Sequence, residues 1–269
     1  MNPNELIQLT DNPDFIEGIY NYCDRWCERC PLTQRCANFA IGQAQFSERT
    51  PTDLESSEFW EELSGVFENT VALLRQMAVE DGVDLDDPEL DAVLDEEEAR
   101  RAQAEEHPLA NQALAYAEKS ISWLEQAGEL FETKEQELTM LARLNVAGAT
   151  PEAQAIAIGE ALEVIQWYED LIYIKLQRAL QGQLEEATDP EVYRGFPSDA
   201  DGSAKVALIA IDRSIGAWGQ LLRHFHEQET PLLEMLAQLD RLRRAVEQQF
   251  PNARAFIRPG FDTEQSLEE

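Results

Sequence analysis

Four cysteines fall within fourteen residues, in YCDRWCERCPLTQRC, and the chain has no others. Cys23, Cys27, Cys30 and Cys36 follow the spacing C-x3-C-x2-C-x5-C. Thiolates are soft ligands, suited to zinc and to iron–sulfur clusters. Clustered cysteines in a cytoplasmic protein favour metal over disulfides. The N-terminal MNPNELIQLTDNPD has neither a basic start nor an apolar run, so a cytoplasmic location is expected. Ile16, Tyr20, Cys23, Cys27 and Cys30 recur at intervals of four, three, four and three, which predicts one face of a helix over 13–30. Pro31 then opens a second short helix that swings Cys36 back to complete a four-sulfur cage.

The spacing leaves two metals open. Structural zinc often uses two Cys-x2-Cys knuckles, and only one is present here. C-x3-C-x2-C repeats the spacing with which radical SAM enzymes hold a [4Fe–4S] cluster. A fourth cysteine and the lack of a β/α barrel exclude that activity, which needs an iron left open. The stretch CERCPLTQRC resembles the C-x2-C-P-x4-C element of the iron staple in RecB-family nucleases. Cys27, Cys30 and Cys36 match it, with Pro31 after the second cysteine. The resemblance implies a [4Fe–4S] cluster, with Cys23 supplying the remaining ligand locally. It covers about ten residues. No strand carries the acidic–lysine constellation of those nucleases, so it does not imply a nuclease. Arg25, Arg29 and Arg35 surround the cysteines, where guanidinium groups would offset the charge of a four-thiolate cluster and raise its potential. They also have Asp24 and Glu28 beside them as surface partners. Trp26 and Phe39 are expected to keep water away.

The elements that must position these residues are helical. The expected organisation is a cysteine-bearing hairpin over 1–50, a bundle helix over 51–79, an acidic mobile linker over 80–106, a main bundle over 107–250 and an extended tail over 251–269. Within the bundle the hydropathy pattern predicts helices over 109–146, from Thr150-Pro151 to about Glu186, from Ser203 to about His226, and from Thr230-Pro231 to Phe250. The stretch SERTPTDLESSE reads as a loop and TEQSLEE as a frayed end, while the tail is expected to fold back through Phe256, Ile257 and Phe261. The linker carries thirteen acidic residues against two arginines, with a short helix expected over 95–105. Nothing alternates as strands do. The fold class is therefore all-α, an antiparallel bundle of long helices.

With 269 residues and a formal net charge of -32, the chain has ample apolar material for a core and very little positive charge. Nucleic-acid binding is excluded as a first expectation, because phosphates need a basic stripe. The longest apolar run, Val206–Ile211, falls far short of a membrane span. Seventeen of the 21 basic residues are arginine, and the acidic excess suits high-salt adaptation, solubility or a partner-docking face.

A second group lies on the long helices. Lys175, Arg178, Lys205 and Asp212, with Trp218 as a wall, compose a candidate pocket for an anion or small molecule, and Gly216 and Gly219 would allow close approach. Internal ion pairs that fix helix register are the competing reading. No Glu-x-x-His pair supports a di-iron centre, and no Gly-rich phosphate loop is present. Three functions follow: a [4Fe–4S] protein with a redox, sensing or stapling role and an unidentified protein or redox partner, a zinc-stapled acidic interaction module, and a helical-bundle enzyme or anion binder.

Overall fold

The computed structural model describes residues 8–9, 11–46, 56–85, 87–145 and 148–262. The expected loop over most of SERTPTDLESSE and the frayed TEQSLEE lie outside these residues. The described residues form α-helices α1 (Ala37–Phe46), α2 (Ser57–Asp81), α3 (Pro88–Glu105), α4 (Pro108–Gln126), α5 (Gly128–Leu144), α6 (Pro151–Thr188), α7 (Asp199–His224) and α8 (Glu229–Gln249), with no strand among them. The fold class is all-α. The chain divides into two compact units: the residues up to Glu98 together with those from Ile257 onward, and Ala99–Phe256.

The second unit is the main bundle, and its core is written in heptads. On α6 a buried seam runs through Ile158, Ala161, Ile165, Tyr168, Ile172, Lys175 and Ala179, alternating three and four apart, with Leu176, Leu180 and Gly182 buried beside it. On α8 they are Leu232, Met235, Leu239, Leu242 and Val246, with the same alternation. That period keeps one seam facing a neighbour along the whole helix. Between these seams runs α7, buried almost all round from Ser203 to Leu208 and again at Ala210, Ile211, Ser214, Ala217, Trp218 and Leu221. α4 packs against both α6 and α8, and α5 lies on α6.

Local chemistry sets the boundaries. His107 caps α4 by accepting the Leu109 N–H at Nδ1, 3.2 Å away, with Pro108 in the first turn. The single helix expected over 109–146 is instead two, broken at Ala127. There the amide bonds back to the carbonyls of Trp123 and Leu124, and Gly128 opens α5. Thr150 precedes Pro151 as anticipated, but its side chain makes no cap hydrogen bond. α7 begins earlier than expected. Ser198 Oγ accepts the Asp201 N–H at 3.1 Å and donates to the Glu186 carboxylate at 2.9 Å. Asp199 and Asp201 then sit in the first turn, where carboxylates complement the helix dipole. A Cβ at Gly182 would lie 3.3 Å from the Ala200 amide nitrogen, so this glycine lets α6 and the start of α7 approach closely.

Two expectations outside the bundle need correction. Residues 13–30 do not form an α-helix. The chain makes single 3-10 turns at Ile19–Asn21, Cys27–Arg29 and Thr33–Arg35 before α1 begins. Within the acidic stretch 80–106 the short helix expected over 95–105 is longer: α3 has 18 residues and starts at Pro88. Its residues, rich in Glu, Ala and Arg, have high intrinsic helix propensity, and that outweighs the lack of an apolar face.

Candidate metal centre

The segment around the cysteines is too short of apolar mass to fold as the bundle does. Among the described residues of the first unit, only Ile19 is a buried hydrophobic side chain. Backbone geometry does the positioning instead. Asp24 Oδ1 accepts the Trp26 amide at 3.3 Å, Arg25 takes a left-handed φ of 60°, and the Cys27 amide bonds to the Arg25 carbonyl at 2.9 Å across Trp26, whose φ of -82° and ψ of 73° define an inverse γ-turn. Left-handed backbone at a non-glycine residue costs about 1 kcal/mol or more and marks a site that its surroundings hold in place. The 3-10 turn Cys27–Arg29 closes with the Cys30 amide on the Cys27 carbonyl, and the next closes with the Cys36 amide on Thr33. Arg35 ties the ring shut, since its carbonyl accepts the Ile16 amide at 2.9 Å and its Nε donates to the Asp14 carbonyl at 3.2 Å.

The result brings Cys23, Cys27, Cys30 and Cys36 to the wall of one small cavity of about 20 Å³. Trp26, Phe39 and Arg25 share that wall. All four thiols are half-buried and free of disulfides. Burial pushes the Cys27 thiol up, and the neighbouring Cys23, Cys36, Glu28 and Cys30 push it further, so the sulfurs sense one another. The Leu32 amide donates to Cys30 Sγ at 3.4 Å, a charge-stabilising contact for a thiolate ligand. Cys23 Sγ donates to the Tyr20 carbonyl at 3.6 Å. Among the described residues, no three Cys, His, Asp or Glu side chains stand close enough together to hold one metal ion.

The arginines separate into different tasks. Arg29 lies over the Trp26 ring, 4.0 Å from its centroid, and Arg35 closes the ring through Asp14. Arg25 alone among them lines the cavity.

The tail from Ile257 completes the site, a contribution the sequence reading only partly anticipated. Phe261 lines the cysteine cavity. It is held there by a clasp in which Arg258 donates through its amide, Nε and Nη2 to the Asp262 carboxylate at 2.9 to 3.0 Å. Gly260 has a φ of 77°, and a Cβ on it would stand 2.7 Å from Ile16 Cδ1. The sequence signal was the RPGFD pattern, which places an arginine and an aspartate four residues apart around a glycine. Replacing Phe261 with alanine should uncover the thiols. Removal of the bound metal by a chelator from the protein as purified, followed by metal analysis, is expected to run about five times faster or more. An unchanged rate would show that the tail does not cover the cavity.

No protein-family model, curated protein or solved structure matches this chain.

The candidate pocket on the long helices is dispersed. Lys205 is buried and donates to the Phe256 carbonyl at 2.5 Å. Arg178 holds Asp199 through two hydrogen bonds of 2.9 and 2.6 Å, linking α6 to α7. Asp212 is claimed by Arg254 at 2.6 Å and by Arg243 at 3.5 Å. Trp218 is fully buried and donates its indole N–H to the Tyr116 hydroxyl at 2.9 Å. Lys175 is buried on the α6 seam. Gly216 and Gly219 face open space rather than a close neighbour. Arg178 and Asp212 thus make ion pairs between elements, while Lys205 and Trp218 make hydrogen bonds within the bundle. Among the described residues, no helix is long and apolar enough to cross a membrane.

Proposed function

We propose that the chain binds one [4Fe–4S] cluster through Cys23, Cys27, Cys30 and Cys36, which staples the N-terminal segment and carries a redox or sensing role. The observation that supports this reading is the placement of all four thiols on the wall of a single cavity. The donor set fits the group. One zinc ion holds its thiolates at about 2.3 Å and draws four sulfurs to one point. A cubane takes one thiolate at each of four irons, so its ligands stand further apart, which suits four sulfurs spread around one cavity wall. Four-thiolate ligation leaves no iron open, so such a cluster supplies electron transfer or structural cross-linking rather than Lewis-acid chemistry. Arg25 at the wall adds positive charge beside an anionic group and would raise its potential.

A staple is also what this segment lacks. The single buried hydrophobe among its described residues, Ile19, cannot offset the ordering entropy of some thirty residues, and metal ligation is a known source of that free energy. The deciding experiment is iron, zinc and acid-labile sulfide content, with a visible spectrum, on protein purified without oxygen. Near four iron and four sulfide per chain with broad absorption near ~400 nm is the expected result. One zinc and a colourless solution would replace this reading with a zinc-stapled interaction module.

A further inference from the structure

Helix α2 carries an exposed apolar stripe whose spacing is the same read in either direction. Trp60, Leu63, Phe67, Val71 and Leu74 follow one another at three, four, four and three residues, so the stripe is centred on Phe67. Trp60, Phe67, Val71 and Leu74 are 55%, 64%, 44% and 58% exposed, a contiguous apolar band of a kind that marks an interaction surface. The spacing repeats every eleven residues, close to the turn of a straight helix, so the stripe stays on one face. Along one edge of it lie Glu61, Glu68 and Arg75, seven residues apart and all exposed.

We propose that α2 pairs with α2 of a second copy of this chain, antiparallel about a two-fold axis at Phe67. A two-fold interface must be self-complementary, and this stripe is. Phe67 meets its own symmetry mate, Trp60 lies beside Leu74 of the partner subunit, and Leu63 lies beside Val71 of the partner subunit. Charge selects the direction. The antiparallel pair brings Glu61 to the end that carries Arg75 of the partner subunit, twice over, leaving one Glu68 pair at the axis. A parallel pair would place this edge on opposite sides of the two helices, so Glu61 and Arg75 of the partner subunit would not meet. Arg75 is the only basic residue of α2, and its place in the stripe's edge is the one that answers Glu61. This inference does not depend on the cluster.

Sedimentation equilibrium of the full chain in about 0.15 M salt tests it, because that ionic strength screens the general self-repulsion of an acidic protein. A reversible dimer is expected below about 100 µM. Phe67→Glu should weaken it at least about 100-fold, since the change acts twice at the axis. Arg75→Glu should weaken it about 10-fold, and the exchange Glu61→Arg with Arg75→Glu should bring it back to within about threefold of the parent. Phe67 and Arg75 are exposed, so these variants keep the fold, which circular dichroism checks. A monomer at that concentration, or a dimer indifferent to Phe67→Glu, would overturn the pairing. Failure of the charge exchange to restore the dimer would overturn the antiparallel register.

Discussion

Cys27→Ser is expected to remove iron and sulfide almost completely and to open residues 11–46 to proteolysis, while the helices from α4 to α8 stay folded. The two outcomes have one cause. Cys27 shares one cavity wall with the other three cysteines, so its loss breaks a four-point linkage. Serine keeps the volume but offers a hard oxygen in place of a soft thiolate. The turns at Cys27–Arg29 and Thr33–Arg35 are single 3-10 turns with two backbone hydrogen bonds each, and an isolated turn of that kind is unstable without tertiary support. The bundle is different, because its helices meet along long buried seams that are apolar but for Lys175. Limited proteolysis read by mass spectrometry, beside metal analysis of the same sample, checks both halves. Cleavage confined to 11–46 and the 257–262 tail would support stapling. Full loss of metal with unchanged protection would leave the redox role and remove the structural one.

Trp218→Ala is expected to cost about 3–5 kcal/mol and to lower the melting temperature by roughly 10 °C. Trp218 has no exposed surface, and its ring meets Trp123 edge to face with centroids 5.2 Å apart. Trp123 in turn meets Phe131, which meets Phe225, so aromatic contacts join α4, α5 and the end of α7. The substitution therefore leaves a large cavity and also removes the donor to the Tyr116 hydroxyl. That hydroxyl is so enclosed that burial pushes its pKa to about 12. Tyr116→Phe is the control: it keeps the ring and deletes only the hydroxyl, and should cost about 1 kcal/mol. Thermal and urea unfolding of the two variants separate packing from hydrogen bonding. Equal losses would mean that the polar contact, not the aromatic packing, dominates this part of the core.

The sequence by itself determined the helical class and most of the long-helix boundaries, because heptad spacing and Pro-started helices are local signals. It also marked Cys23, Cys27, Cys30 and Cys36 as one group, since four soft donors within fourteen residues are close in space under almost any backbone. It misjudged how that segment is shaped. The i, i+4, i+7 spacing of Cys23, Cys27 and Cys30 suits a helix, but the Asp24 side chain and the left-handed Arg25 turn the chain between the first two cysteines instead. Such a turn has no periodic signature.

Only the tertiary structure decided which polar residues go inside. Ile174 is 54% exposed while its neighbour Lys175 is buried. Hydropathy alone would reverse them, but the seam through Ile165, Tyr168, Ile172 and Ala179 passes through position 175 and not 174. A helix turns as a rigid object, so its best-packed face is chosen for the whole length, and single residues follow. The same holds for the pocket that five residues composed on paper. Lys205, Arg178 and Asp212 found the Phe256 carbonyl, Asp199 and Arg254. Those partners lie 21 to 51 residues away in the chain, a distance over which spacing carries no information and only packing chooses.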